Sequence, residues 1–295
     1  MKLMNIANEI KKRLLIEFKM QDKSGVYGYT QRTMAYNSNR IEGSTLTERQ
    51  TASIFETGIL YNEKDINYFV IKDIVEMIGH FKMFNYILKN INSPLSIEII
   101  KGMHKNLKEG VFEDLANGYA IGNWKKRSNM VSDIITTQPE NVDYEMRTLI
   151  NDFSNKKLTT NDIARFHAQF ENIHPFQDGN GRVGRMIILK QCLDNDLVPI
   201  IIRNENRNQY MKCLNDAQIN DNFGPLIDYF KEEQKNYLTH TLDFVVDYDI
   251  LQLIPDKNEY INKIINDQEL EQNKTNQETN NINKINKDDD FGIEY

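Results

Sequence analysis

Apolar residues recur at steps of three and four along most of this 295-residue chain, and this periodicity constrains the fold more than any other feature. The pattern is clearest from Ile163 to Ile173, where it predicts a helix over about 160–173 that opens with a capping box of Thr159 and Asp162. The same periodicity predicts helices over 5–20, 30–42, 47–57, 65–90, 96–108, 143–153, 182–194, 206–219 and 225–245. The predicted fold class is therefore mainly α.

The segment 117–142 departs from the helical pattern. It carries Gly118, Gly122 and several β-branched residues, among them Val131 and Ile134, between polar side chains. Such a composition predicts a short β-hairpin or an extended flap.

The composition also predicts three regions along the chain. We expect an N-terminal helical region over 1–95, a helical core over 96–250 and a C-terminal extension over 251–295. After about residue 257 the sequence turns to Asn, Gln, Lys, Asp and Glu, with few apolar groups to offset the entropy of ordering. We therefore expect a flexible chain from about residue 266.

The charge distribution argues against broad binding to nucleic acid. The formal net charge is −7, but the tail over 256–295 holds ten acids and five bases, which leaves the remaining residues near −2. A nearly neutral body without a basic stripe does not match a nucleic-acid phosphate backbone. Trp124 and the following Lys125, Lys126 and Arg127 are the one candidate patch, for which a solvated face is the more frequent explanation.

Several features bear on the compartment. No run of about 18 uncharged apolar residues is present, so neither a membrane span nor a membrane partner is predicted. The first twenty residues interrupt their apolar positions with charges, unlike a signal peptide. Cys192 and Cys213 lack the spacing of a disulfide framework or a zinc cluster, so we expect a cytoplasmic protein. The sequence allows a monomer as well as a homodimer.

The stretch HPFQDGNGRVGR, residues 174–185, concentrates the candidate chemistry. Pro175 disfavours the α region for the residue before it, so the preceding helix should stop at His174. An imidazole held at such a fixed exit point is a candidate general base.

The rest of this stretch is typical of a phosphate site. Gly179 and Gly181 permit tight turns before a helix expected to start near Arg182, and the free N–H groups at a helix start attract phosphate. Arg182 and Arg185 are three residues apart and can face one ligand with planar donor groups. Asp178 adds a hard oxygen ligand, and one carboxylate beside phosphates suits Mg²⁺.

At every defined position these twelve residues resemble the motif HxFx(D/E)GN(G/K)RxxR of the Fic family. The resemblance implies a Fic-type helical bundle and a protein adenylyltransferase that transfers AMP from ATP to a Tyr, Ser or Thr hydroxyl of a target protein, with Mg²⁺ as the metal. It implies that His174 deprotonates the hydroxyl and that Asp178 holds the metal. Gly181, which is Lys in some members, favours AMP transfer over phosphorylation. The implied ATP-binding residues of the loop are Phe176, as its anchor, Gly179, Asn180, Gly181, Arg182 and Arg185.

A second element, SNRIEG, is similar to the inhibitory pattern (S/T)xxxE(G/N) of the family. It comprises Ser38, Glu42 and Gly43, and the first two lie one helical turn apart on one face. The resemblance implies that Glu42 pairs with Arg185, keeps the γ-phosphate of ATP from seating and restrains both target modification and self-modification.

Two further similarities involve less specific patterns. The family has a flap that holds a target segment by strand-like pairing, and residues 122–131 look similar to it. The flap candidates are Trp124, Asn129, Met130 and Val131. The segment NENRNQYMKCLNDA is similar to the part that closes over adenine, with Asn204, Arg207 and Tyr210 as candidates, although Tyr210 fits helix packing equally well.

Other interpretations of the same residues stay open. The GxGxxG pattern over 179–184 also occurs in Rossmann folds, but here a helix precedes it where that fold needs a strand. His167 with His174 and Asp178 is a conceivable zinc set, for which a core position of His167 is the more frequent explanation. The alternative functions are removal of AMP with Glu42 orienting a water, transfer of another phosphate-linked group, and nucleotide sensing without turnover.

Overall fold

A computed structural model describes residues 5–61, 69–131, 134–154, 156–271 and 274 of the chain. The fold is mainly helical, as the periodicity predicts. In chain order the α-helices are α1 (Ile6–Met20), α2 (Val26–Ile41), α3 (Glu48–Thr57), α4 (Ile71–Lys89), α5 (Ile97–Lys108), α6 (Phe112–Ala116), α7 (Val142–Ser154), α8 (Thr160–Ile173), α9 (Asn180–Asp194), α10 (Arg207–Asn220), α11 (Gly224–Val245), α12 (Tyr248–Leu251) and α13 (257–271).

The helix starts follow local sequence signals. At α8 the Thr159 side chain accepts a hydrogen bond from the Asp162 N–H, and the Asp162 carboxylate accepts one from the Thr159 N–H. This reciprocal arrangement is the predicted capping box, and it satisfies two donors that a helix start leaves free. The helix that leads to His174 therefore begins at a fixed residue.

Helix α9 lies at the centre of the molecule. Its residues are buried on every side, which is typical of a helix in the interior of a protein. Met186 packs into a core formed mainly with α1, α2, α4 and α5, whereas Ile188 packs into a second core with α8, α10 and α11. Because two cores hold α9, its N-terminal end is fixed relative to α2, α4 and α5.

The segment 117–142 contains far less β structure than a hairpin over that range requires. Its strands are β1 (Met130–Val131) and β2 (Ile134–Ile135), which pair antiparallel with Met130 opposite Ile135. Upstream, Gly118 and Gly122 adopt positive φ angles of 67° and 69° within turns. These turns bond to nearby backbone groups, so that part of the chain does not join a ladder.

The C-terminal region bears on the expectation of flexibility from about residue 266. Helix α13 continues to residue 271, and Ile261, Ile264 and Ile265 are buried on one of its faces. The Val198 N–H also donates to Gln268 Oε1 at 2.8 Å. The helical spacing of these isoleucines outweighs the polar composition around them, so 266–271 is helical, and the flexibility of this region stays a prediction. The rest of that tail, apart from residue 274, lies outside the described residues.

Within the described part of the chain, every helix is too short or too polar to cross a membrane. The first hydrophobic core joins Ile6 near the start of the chain with Ile265 near its end. The division of the chain at residues 95 and 250 stays a prediction about sequence organisation.

Candidate active site

The loop after α8 turns His174 away from the helix axis. His174 is the C-cap of α8, with φ 50° and ψ 61° in the left-handed region, and its N–H donates to the Phe170 carbonyl oxygen at 2.9 Å. This conformation is uncommon for a residue other than glycine, although His is among the side chains that adopt it more often. The helix therefore ends before Pro175, as predicted.

Phe176 anchors this loop in the core. Its ring is fully buried and stacks on His104, with 3.9 Å between ring centroids and an interplanar angle of 1°. His104 Nδ1 accepts a hydrogen bond from the Gly122 N–H at 2.9 Å, and its Nε2 lies 3.1 Å from the Asp178 carbonyl oxygen. His104 thus links the flap segment to the loop. Phe176 is fully buried and acts here as the anchor of the loop, and a contact with ATP stays a prediction.

Helix α9 begins at Asn180, two residues earlier than predicted, with Gly179 as its N-cap at φ 84°. The Asn180 side chain folds back onto the loop: Oδ1 accepts from the Phe176 N–H at 2.8 Å, and Nδ2 donates to the Phe176 carbonyl oxygen at 2.9 Å. The groups left for a phosphate at this end are backbone N–H groups of the first turn, including that of Gly181. They carry the positive end of a 15-residue helix.

The two arginines of the motif are both buried and both bound to protein groups. Arg182 Nη1 lies 2.5 Å from Glu76 Oε2, and its Nη2 lies 3.5 Å from Asp178 Oδ2. Arg185 Nε donates to Ser38 Oγ at 2.9 Å, and its Nη2 donates to the Ser38 carbonyl oxygen at 3.0 Å. The two guanidinium groups therefore contact different partners in this structure.

Sequence reasoning missed a buried lysine beneath the loop. Lys108, at the end of α5, is 1% exposed and its Nζ contacts Glu76, Asp114 at 2.7 Å and Asp178 at 2.6 Å. Burial opposes the charge, but the surrounding carboxylates raise the pKa of Lys108. Burial likewise disfavours ionised Asp178, yet Arg182 and Lys108 hold the pKa of this carboxyl well below its usual range. No spacing in the sequence indicates this contact, because it joins residues 70 positions apart.

The same carboxylates bear on the predicted metal. Oxygen atoms of Glu76, Asp114 and Asp178 lie within 4.8 Å of one another, but the Lys108 ammonium already contacts all three. Only the Asp178 side chain is substantially open, at 37% exposure. One accessible carboxylate suits Mg²⁺, which keeps most of its waters and shares its other ligands with phosphates. Asp178 therefore fits the expected metal-binding role, whereas the Lys108 ammonium occupies the centre of the three-carboxylate cluster.

His174 has the protonation state that a base requires. Burial lowers its pKa to about 4, and the nearby Lys125 ammonium contributes in the same direction, while Glu42 and Asp178 oppose them. The imidazole is therefore neutral at pH 7 and has one nitrogen lone pair. Asn129 and Asn180 each have their amide nitrogen 3.1 Å from His174 Nδ1.

The end of α2 reaches the site from the N-terminal region. Glu42 is the C-cap of this helix, and its Oε1 lies 2.6 Å from Arg185 Nη2. Gly43 follows with φ 94°, which turns the chain away from the site. Burial raises the pKa of Glu42, but Arg185 and then Arg182 lower it further than burial raises it. The structure thus brings Ser38 and Glu42 together on Arg185, the pairing that the resemblance implied.

The candidate adenine residues do not form one pocket. Tyr210 is 1% exposed, and its hydroxyl lies 2.7 Å from His167 Nε2, so it packs in the core here and a contact with ATP stays a prediction. Its helical spacing reflects core packing. The Asn204 N–H donates to Asn37 Oδ1 at 2.9 Å, and Arg207 Nε donates to the Ile41 carbonyl oxygen at 3.0 Å. In this structure these two contact α2, and a role toward adenine stays a prediction.

The flap residues differ in their exposure. Trp124 is half-buried, and its Nε1 donates to Asp143 Oδ1 at 2.9 Å, whereas Met130 is exposed beside the site. Lys125 is buried, so the expectation of a solvated basic face over 125–127 is wrong for this residue. Lys126 and Arg127 are exposed.

Comparisons with known proteins point to one family. Residues 94–192 match the Fic/DOC family. "Protein adenylyltransferase Fic" of Nematostella vectensis is 28% identical over 191 residues, which cover 63% of this chain and 43% of the relative. A "probable protein adenylyltransferase" of Aquifex aeolicus is 34% identical over 115 residues, covering 37% of this chain and 35% of the relative. The chain thus spans less than half the length of these curated relatives.

Solved structures support the fold. A Fic-domain-containing signalling protein of Bacteroides thetaiotaomicron has a TM-score of 0.58 at 22% identity, covering 79% of this chain and 92% of that one. Fic-1 of Caenorhabditis elegans has a TM-score of 0.61 at 19% identity, covering 79% and 72%.

In this chain a central helix presents its N-terminus next to the loop that bears His174. Residues 94–192 match the Fic/DOC family, and the fold of the chain is similar to these Fic structures.

Proposed function

We propose that this protein is a protein adenylyltransferase, an enzyme that transfers AMP from ATP to a Tyr, Ser or Thr hydroxyl of a target protein. The observation that carries the proposal is the convergence on one loop of a neutral His174, the accessible carboxylate of Asp178 and the free N–H end of α9. Relatives named protein adenylyltransferases support the same activity.

In the proposed reaction the target hydroxyl oxygen forms a bond to the α-phosphorus, and the bond from that phosphorus to the pyrophosphate oxygen breaks. His174 accepts the hydroxyl proton, so the attacking oxygen does not keep a positive charge. The start of α9 binds phosphate oxygens through its N–H groups and helix dipole. Catalysis then consists mainly of positioning the reactants and stabilising charge.

Asp178 is the residue that would hold Mg²⁺, and the metal would supply positive charge to the phosphate oxygens. The Asp178 carboxylate is ionised at neutral pH because Arg182 and Lys108 keep its pKa low. Its Oδ1 accepts from the Gly179 N–H at 2.8 Å, which orients the group at the base of the loop.

We further propose that the region before residue 95 restrains the core through the end of α2. Arg185 Nε donates a hydrogen bond to Ser38, and Arg185 Nη2 donates to both Ser38 and Glu42. These donors, which a γ-phosphate would use, are therefore bound to protein oxygens. A phosphate that seats here must compete with the Glu42 carboxylate for Arg185. Removing that carboxylate frees one N–H of Arg185 Nη2 for ATP, while the two bonds to Ser38 remain.

The pairing of β1 with β2 beside His174 supports a flap that a target segment extends by backbone hydrogen bonds. Met130 is exposed there and is available to contact the target. Such pairing would hold a target hydroxyl near His174.

The proposal is tested by intact-mass spectrometry after incubation with ATP and Mg²⁺. Glu42→Gly should add AMP to the protein itself or to a target from a cell lysate, whereas Glu42→Gly combined with His174→Ala should not. Glu109→Gly is a matched control, since Glu109 is also a helix C-cap followed by a glycine with positive φ but is exposed away from Arg185. Equal AMP adducts in the wild type and every variant would contradict the proposal.

A further inference from the structure

Lys125 fixes the orientation of the Asn129 amide. Its Nζ is buried and lies 2.7 Å from Asn129 Oδ1, 2.7 Å from Thr136 Oγ1 and 3.3 Å from the Ile173 carbonyl oxygen. An ammonium group has three donors and no acceptor, so the Asn129 atom that faces it must be the amide oxygen. Thr136 Oγ1 lies 2.5 Å from the same oxygen.

The amide nitrogen of Asn129 consequently faces His174. Asn129 Nδ2 lies 3.1 Å from His174 Nδ1 and 3.1 Å from the Phe176 carbonyl oxygen. A carbonyl oxygen only accepts hydrogen bonds, so this contact independently requires the nitrogen on that side. The two contacts exclude the flipped amide.

Asn180 approaches the same ring nitrogen in a fixed orientation. Its Oδ1 accepts from the Phe176 N–H, which only donates, and its Nδ2 lies 3.1 Å from His174 Nδ1. Two amide donors therefore point at Nδ1, and neither can accept a proton from it. In neutral His174 the lone pair must lie on Nδ1 and the hydrogen on Nε2.

We infer that Asn129 is a positioning residue that sets the tautomer of His174. Lys125 and Thr136 orient its amide, and the amide nitrogen occupies the position from which a target hydroxyl would give its proton to His174 Nδ1. The inference deepens the proposed function, since it concerns the base of that reaction. Asn129 acts through His174 and needs no contact with ATP.

The geometry defines the approach of the target hydroxyl. The hydroxyl must donate to the Nδ1 lone pair, as the Asn129 N–H now does, before its proton moves to Nδ1 and its oxygen bonds to phosphorus. Asn180 is bonded to the Phe176 backbone through both its oxygen and its nitrogen, so it stays in place. Asn129 is held by Lys125 and Thr136 as well, but it comes from the segment just before β1 rather than from α9, and we assign the incoming hydroxyl to its position.

The tautomer is measured by two-bond ¹H–¹⁵N NMR on the full-length protein labelled in its histidines, with His174→Gln used to assign the signals. In the wild type, the ¹⁵N shifts should identify Nε2 as protonated and Nδ1 as unprotonated. Asn129→Asp keeps the shape but turns a carboxylate oxygen toward Nδ1. We expect the pKa of His174 to rise by about 2, as a neighbouring opposite charge produces. We also expect the neutral ring to carry more of its hydrogen on Nδ1, against the Asn180 donor that still faces this atom.

The matched control is Asn123→Asp, the same charge change at an exposed position of the same segment. It should leave the His174 tautomer and pKa as in the wild type. The inference is overturned if Asn129→Asp behaves like this control, or if the wild-type imidazole carries its hydrogen on Nδ1.

A kinetic measurement relates the tautomer to the proposed reaction. In the Glu42→Gly background, Asn129→Asp should move the acidic limb of the kcat/KM profile to higher pH, a change that a structural role alone would not produce. If Glu42→Gly transfers no AMP, the proposed function fails, while the NMR result still tests the assignment of Asn129.

Discussion

The carboxyl group of Glu171 is held in its neutral form one turn before His174. Burial raises its pKa to about 8, Arg185 opposes this effect and Glu42 adds to it. Its Oε1 has no hydrogen-bond partner among the described residues. A neutral acid at this position avoids a second anion beside the Glu42–Arg185 pair.

Glu171 should make the protein less stable as the pH rises. Between about pH 4.5 and 8 the folded state keeps the Glu171 proton and the unfolded state releases it, so the free energy of unfolding falls with increasing pH. Glu171→Gln removes this contribution. Urea unfolding at pH 6 and pH 8 should show the variant gaining stability relative to the wild type at the higher pH. A constant difference between the two proteins would contradict this assignment.

At the scale of secondary-structure elements, one ammonium group joins α4, α5, α6 and the loop before α9. Glu76, Lys108 and Asp114 come from the three helices, and Asp178 comes from the loop. The position of Asp178 therefore depends on helices distant in sequence.

Lys108→Met should strongly destabilise the fold. The change leaves carboxylates buried without their shared cation, and breaking a buried ion pair in this way costs about 3–5 kcal/mol. Lys105→Met, an exposed position on the same helix, is the matched control. Urea denaturation measures both, and a loss for Lys108→Met no larger than for the control would show that the cluster does not need its lysine.

The helices were largely predictable because their signals are local. The apolar steps around Phe166 and the pairing of Thr159 with Asp162 lie within a few residues of one another, and the structure reproduces both. The HPFQDGNGRVGR stretch was recognisable for the same reason, since its twelve residues form one loop and the start of α9.

What the sequence concealed depends on contacts across the fold. Lys108 looks like a solvated helix end until α4 and α6 surround it with acids. Tyr210 follows Asn204 and Arg207 at helical spacing, which fits a core residue as well as a ligand contact. The core position becomes visible only in the fold, where Tyr210 packs against His167. Lys125 belongs to a basic run, yet the flap and the end of α8 enclose it.

Across the whole molecule, buried neutral histidines link stability to pH. Burial is the largest cause that lowers the pKa of His80, His104 and His167 to about 3 and that of His174 to about 4. These side chains bind protons only when the chain unfolds, so the free energy of unfolding should fall as the pH drops below about 6.5.

Proton uptake on unfolding measures this effect. At pH 5.5 the four histidines take up nearly one proton each and Glu171 releases one, so unfolding in urea should consume about three protons, as followed in a pH-stat. Glu171→Gln should increase the uptake by about one proton. Uptake below one proton in the wild type would mean that these histidines are not neutral and buried in solution.

If this loop directs a hydroxyl to the α-phosphorus of ATP, the position of a radioactive label in the nucleotide decides whether the protein becomes labelled. Glu42→Gly is incubated with Mg²⁺ and ATP labelled at either the α-phosphate or the γ-phosphate, in the presence of a lysate. Transfer of AMP predicts label above that of the lysate alone from the α-labelled nucleotide but not from the γ-labelled one, and none above this background when His174→Ala is added to the variant. Label above this background from the γ-phosphate, or from the α-phosphate without His174, would contradict this role of the loop.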